Sequence, residues 1–211
     1  MNNTLQYSLM RRSNLKSCVD TVVEAFSTYE YFTNYFPNPS DRLQCMRRII
    51  TAEYRTTFGL VPTLVAHSGN QIAAVCQLFP PSYKKPSDLQ YMLHGWLKVY
   101  MTRERQAVDD WLKMDAEAGA PCHNLIGGTT WYLSSITIHP QFQRQGIGRQ
   151  FIEEYIEPYV KKHGGTELVL FTNSEGNRIF YEKLGYKLFH TTSFAHNGHP
   201  MGSWSYRKEI K

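Results

Sequence analysis

The feature that most constrains this chain is a change of period between Trp131 and Tyr159. Trp131-Tyr-Leu-Ser-Ser-Ile-Thr-Ile-His139 is a mostly apolar run that reads as a strand. It passes through Pro140 into Gln143-Arg144-Gln145-Gly146-Ile147-Gly148, after which Ile147, Phe151, Tyr155 and Tyr159 recur four apart, the spacing of one helix face. A strand that enters a helix through two glycines turns tightly, and glycine lets the backbone come close to a ligand. The first-turn amide hydrogens of such a helix lack partners and lie at the positive end of its dipole, a combination that binds phosphate oxygens. Arg144 and Arg149 flank the glycines and are candidates to pair with the same phosphates. The turn lacks the Gly-Lys-Ser/Thr ending of a P-loop and is too short for the G-x-G-x-x-G of dinucleotide folds. A turn whose glycines only permit packing is the alternative for a bare G-x-G.

The rest of the chain supplies a sheet to carry this unit. Leu5 to Met10 reads as a first strand, and Asn14 to Phe26 as a helix capped by Asn14. After an aromatic loop, Tyr29 to Phe36, a second helix is expected from Ser40 or Asp41 to about Phe58, with Leu43, Met46, Ile49, Ile50 and Tyr54 inward. Thr63 to His67 and Gln71 to Leu78 flank Ser68-Gly69-Asn70 as a hairpin. Helical patterns follow at Leu89 to Met101 and Arg103 to Ala118, then a loop to Gly128. Beyond the glycine turn come a helix from Arg149 to His163, a strand from Leu168 to Thr172, a helix from Gly176 to Leu184 and a closing hairpin. Strands alternating with helices between antiparallel hairpins imply an α+β fold with a mixed sheet, not a doubly wound parallel one.

Composition removes several classes. The 211 residues are 42% hydrophobic and 19% charged, with dispersed charges and a net charge of +5, so one globular domain over 1-211 is expected. A modest positive charge favours anionic ligands without naming one. No recognition helix, RNP-type strand or Cys/His finger is visible, so no nucleic-acid partner is expected. Cys18, Cys45, Cys76 and Cys122 lie far apart without paired spacing, which argues against a metal. With no leader-like or bilayer-length apolar stretch, the expectation is a cytoplasmic protein with reduced thiols and no membrane partner. A homodimer is compatible with this composition.

A second motif stands about thirty residues after the first: Asn177-Arg-Ile-Phe180-Tyr181-Glu-Lys-Leu184-Gly185-Tyr186. Together, Gln-x-x-Gly-x-Gly and Asn-x-x-Phe-Tyr-Glu-Lys-Leu-Gly-Tyr resemble the paired motifs of the GNAT superfamily of N-acetyltransferases. The resemblance spans roughly residues 61 to 190, with a helical insert at about 84-128. It implies a GNAT-like mixed, mostly antiparallel sheet, splayed at the cofactor site and flanked by helices, with acetyl-CoA as co-substrate. On this resemblance Gln143, Arg144, Gln145, Gly146, Ile147, Gly148 and Arg149 hold the coenzyme A diphosphate. Ile136 and Ile138 meet pantetheine through main chain, and Asn177 hydrogen-bonds the cofactor. Tyr181 protonates the leaving thiolate as general acid, a role a phenol within reach of the sulfur can fill.

From Trp131 onward the chain is similar to the puromycin N-acetyltransferase group, although Phe171 stands where those proteins usually carry a glutamate before the Thr. Phe26-Ser-Thr-Tyr29 resembles the segment that faces the acceptor amine there, which makes Tyr29 the candidate acceptor-site residue. Glu30 is the alternative proton acceptor. The aromatic loop around them serves equally well as packing or as substrate contact. The resulting expectation is direct acetyl transfer to a primary amine of a small molecule; a protein or peptide acceptor, or an acyl-CoA-binding sensor without catalysis, are the other readings.

Overall fold

The computed structural model describes residues 5–211. Seven strands form one sheet in the order β1-β2-β3-β4-β5-β7-β6, built from Gln6–Leu9, Thr63–Ser68, Gln71–Phe79, Thr130–Ile138, Glu167–Thr172, Lys187–His196 and His199–Glu209 as β1 to β7. Every pair is antiparallel except β4 with β5, so the sheet is mixed and mostly antiparallel.

Successive side chains of a strand point to opposite faces, and the two faces have separate cores. Val65 and Val75 face one side, where they meet α1 (Leu15–Phe26), α3 (Pro39–Thr57) and α6 (Arg105–His123). Leu64, Ala66, Ala74 and Cys76 face the other, against Ile147, Phe151, Ile152, Ile156 and Val160. Those five lie on one helix made of α7 (Ile147–Phe151), a π turn (Ile152–Ile156) and α8 (Glu157–Lys162). Tyr181 and Leu184, from the α9 segment (Glu175–Lys183) and the residue after it, complete that core.

The decisive feature is a split in the sheet. β4 runs beside β3 from Tyr132 to Ile138. It pairs with β5 only at Thr130↔Glu167, Trp131↔Leu168 and Tyr132↔Val169. Past Tyr132 the two parallel strands diverge, and the edge of β4 that faced β5 has no ladder partner. A strand edge without a neighbour offers its main-chain donors and acceptors to whatever lies beside it.

Several local expectations are corrected. The helix α3 starts one residue earlier, at Pro39, because Asn38 caps it, accepting from Ser40 N at 2.9 Å and Asp41 N at 3.1 Å. Asn14 does not cap α1; its side chain turns back to accept from Arg11 N at 2.8 Å. Leu43 points out, 41% exposed, while Cys45 and Met46 take the inward positions. The first insert helix is broken at Gly95, whose φ of 128° is non-helical, into α4 (Asp88–Tyr91), a π turn (Met92–Trp96) and α5 (Leu97–Tyr100). Helix α6 continues past Ala118 through Pro121 to His123. Proline there removes one helical hydrogen bond, and Asn124 N still closes onto Ala120 O at 3.0 Å. All four cysteines are free and buried. Among the described residues, no helix is long and apolar enough to cross a membrane.

Candidate active site

The glycine turn is built by two left-handed residues. Arg144 has φ 60° and Gly146 φ 80°, a conformation that strains most side chains but not glycine. Side-chain amides brace the bend: Gln143 Nε2 donates to Ile138 O at 3.0 Å, and Gln145 Nε2 donates to Gln141 O at 2.8 Å. No side chain caps α7, and a methyl added at Gly146 would meet nothing within 4 Å. The first turn of this helix is therefore open to an outside acceptor. Gly148 has a different task. A Cβ there would lie 3.3 Å from Phe180 Cζ and 3.5 Å from Ile138 Cγ1, so the two sequence motifs are packed against each other through this position.

The two flanking arginines are held differently. Arg149 Nε reaches both oxygens of Glu153 at 3.0 Å, along its own helix and away from the turn. Arg144 is exposed beside the turn. What this region presents to a ligand is mainly backbone.

A cavity of about 1180 Å³ opens from the split between β4 and β5. Ser134, Ser135 and Ile136 of β4, Thr172 at the end of β5, and Asn177 and Tyr181 of α9 line one end. Ile138, further along β4, is part-buried against the core of the α7 face and outside that lining. Tyr181 is 4% exposed, and burial pushes its phenol well above the ordinary tyrosine range, so the proton stays on at neutral pH.

Tyr29 is drawn into the same end by a short chain of hydrogen bonds. Asn177 Nδ2 donates to Thr172 Oγ1 at 3.0 Å, Tyr29 Oη lies 3.3 Å from that oxygen, and Asn173 N donates to Tyr29 Oη at 2.9 Å. Burial raises the Tyr29 phenol, and the hydrogen bonds from Thr172 and Asn173 oppose the rise. Glu30 begins a short helix, α2 (Glu30–Thr33), and points to solvent outside the cavity lining. Tyr29, Asn177, Ile136 and Tyr181 are thus brought together, and Glu30 is not.

The same cavity holds two acids that sequence reasoning missed, joined to the Tyr29 region through Tyr31, whose ring stacks on that of Tyr29 with centroids 6.0 Å apart. Glu53 of α3 and Asp115 of α6 both line the cavity, with Tyr31 donating a short hydrogen bond to Asp115 Oδ1. Burial, reinforced by the charge of Asp115, pushes the Glu53 carboxyl up to about 7; the neighbouring Tyr91 phenol and Lys85 oppose it. Burial also raises Asp115, against the pull of the Tyr31 hydrogen bond. A signal existed: each acid interrupts an apolar stripe, Glu53 after Ile49 and Ile50, Asp115 after Trp111. An acid on the inward face of a helix is costly unless something answers its charge.

Comparisons with known proteins agree with this fold. No curated protein matches the sequence. The family model described as the acetyltransferase (GNAT) domain matches residues 107–188, from α6 through α9. Among solved structures, an N-acetyltransferase from Staphylococcus aureus aligns over 99% of both chains at 13% identity, with a TM-score of 0.60. The ribosomal-protein-S18-alanine N-acetyltransferase of Escherichia coli aligns over 99% of this chain and 95% of its own at 12% identity, TM-score 0.57. The yncA protein of Salmonella typhimurium, solved with its cofactor acetyl-CoA, aligns over 99% and 95% at 12% identity, TM-score 0.56. Residues 107–188 therefore match a GNAT acetyltransferase domain, and the chain as a whole has the GNAT fold.

Proposed function

We propose that this protein is an acetyl-CoA-dependent N-acetyltransferase that moves an acetyl group directly onto a primary amine of a small molecule. One observation carries the reading: the unpaired edge of β4 runs from the cavity that Tyr181 lines to the uncapped first turn of α7. A long ligand with a diphosphate at one end and a reactive thioester at the other fits that path.

The fit rests on chemistry present in the chain. Amide hydrogens at Ile147, Gly148 and Arg149 are free to hold phosphate oxygens, and the left-handed Gly146 leaves open space for them. Main chain at Ile136 and Ile138 lies on the split edge, where it can pair with the amides of pantetheine, with Ile138 O also accepting from Gln143 Nε2. Bound acetyl-CoA would supply the acyl group as a thioester. A β4 amide directed at the thioester carbonyl would stabilise the charge that develops on its oxygen. Tyr181 holds its proton at Oη and would pass it to the departing sulfur. Tyr29, fixed by Thr172 and Asn173, faces the acceptor side, and Asn177 holds Thr172 in register.

A small acceptor is favoured because the insert puts Tyr91, Trp96 and Trp111 into the cavity wall, giving a compact ligand an aromatic surface to pack on. The Tyr29 segment and the Trp131-Tyr-Leu strand, which resemble the puromycin group, point the same way, whereas Phe171 in the cavity wall departs from that group and removes the polar contact its glutamate would make.

The test is thiol release from acetyl-CoA across amine antibiotics, polyamines, amino acids and peptides. Turnover with a small amine is expected. Turnover with peptides alone would overturn the acceptor class, and tight coenzyme A binding with no turnover on any acceptor would overturn the enzyme.

A further inference from the structure

The acid-bearing part of the cavity is unbalanced in two independent ways. Glu53 and Asp115 line it, yet among the described residues neither forms an ion pair within 4 Å. Lys85 and His123 line the same space, but Lys85 acts on Glu53 only from a distance, and burial together with Lys85 lowers His123 towards its neutral form. Buried carboxylates are normally paired with a cation or neutralised.

The second imbalance is in hydrogen bonds. Trp96 Nε1 and Trp111 Nε1 are buried without a partner, on residues that are 9% and 6% exposed and that both line this cavity. An indole N–H can only donate, and buried donors are rarely left unmade in native proteins. Rings stand around these groups. Tyr31 and Trp111 meet edge to face with centroids 5.4 Å apart, and Tyr91 meets Trp96 in the same way at 6.1 Å.

We infer that this part of the cavity binds the acceptor as a cationic aromatic amine. Glu53 and Asp115 take the ammonium, the rings of Tyr31, Tyr91, Trp96 and Trp111 take the flat body, and the indole N–H groups take oxygen or nitrogen acceptors borne on it. Aromatic faces add to the attraction for a cation. The inference builds on the proposed function by taking this as the acceptor side, and it adds the acceptor's chemical class.

Calorimetry on the full chain without coenzyme A tests it, using tryptamine, its neutral isostere tryptophol, and hexylamine. Tryptamine is expected to bind about tenfold tighter than tryptophol, the size of one charge-assisted contact, and Glu53→Gln or Asp115→Asn to erase most of that preference. Equal binding of tryptamine and tryptophol to the wild-type chain overturns the cation site whether or not the variants fold. Hexylamine binding as tightly as tryptamine overturns the aromatic half. A parallel coenzyme A titration separates the two readings: lost cofactor binding with the tryptamine preference intact removes the proposed function, and the reverse removes only this inference.

Discussion

Two adjoining parts of the cavity lining are built from different materials. The part at the β4–β5 split uses main chain: an unpaired strand edge, a left-handed glycine and an uncapped helix turn. The part under the insert uses side chains, with carboxylates from α3 and α6 set among rings from α2, α4 and the π turn at Met92–Trp96. Backbone sites depend on local conformation and tolerate changes of side chain. Side-chain sites depend on where distant elements happen to meet, and they change with single residues.

The strongest way to break this contrast is Gly146→Val. A β-branched residue at φ 80° is strained and also fills the open space over the turn. Coenzyme A affinity should fall by about a hundredfold or more, since both the turn and its amides are lost. Wild-type affinity by calorimetry would mean the turn does not hold the cofactor.

Next in size is Tyr181→Phe, which removes one buried hydroxyl and little else. Turnover should drop at least about tenfold, a floor set below the roughly hundredfold or more that a positioned general acid contributes, with coenzyme A affinity nearly unchanged. Turnover at the wild-type level in the thiol-release assay would take the acid role from Tyr181.

Around the two acids, stability should carry a pH signature. Glu53 has a folded pKa of about 7 against an ordinary 4.5, so between those values the native state binds the extra proton. Stability from this group is therefore greatest at low pH and declines as pH rises through that window. His123, lowered by burial, pushes the other way, and the difference between wild type and variant isolates Glu53. Glu53→Gln should gain roughly 1–3 kcal/mol at pH 8 relative to its effect at pH 4.5, discounted for partial solvent access. Urea unfolding at several pH values reads this, and parallel curves for the two proteins would show that Glu53 is not desolvated in the folded state.

The smallest effect sharpens the contrast from the other side. Arg149 is exposed and held by Glu153, so Arg149→Ala should weaken coenzyme A binding by less than about fivefold, the range of an exposed charge contact. A larger loss would show that side-chain charge contributes as much at the turn as backbone.

Legibility followed the same division. The strand from Trp131, the glycine turn and α9 were readable because each is a local pattern in consecutive residues, and the model match over 107–188 falls on the same stretch. Helix α3 was readable as a helix, but its details were not. Asn38 caps it from before the expected start, and Leu43 faces out because the stripe that meets the sheet runs through Met46, Ile49 and Ile50. The insert was seen as helical, while its break at Gly95 depends on how it lies against α3.

By itself, the order of residues determined that a strand enters a helix through Gly146 and that an Asn-x-x-Phe-Tyr helix follows, because backbone conformation and hydrogen bonding there are set within a few residues. Only the tertiary structure decided that β4 and β5 part after Tyr132, that Tyr29 reaches Thr172, and that Glu53 and Asp115 line one cavity. Those facts depend on helices packed from distant parts of the chain. Desolvation and Coulomb interactions act between atoms that are close in space, whatever their separation in sequence.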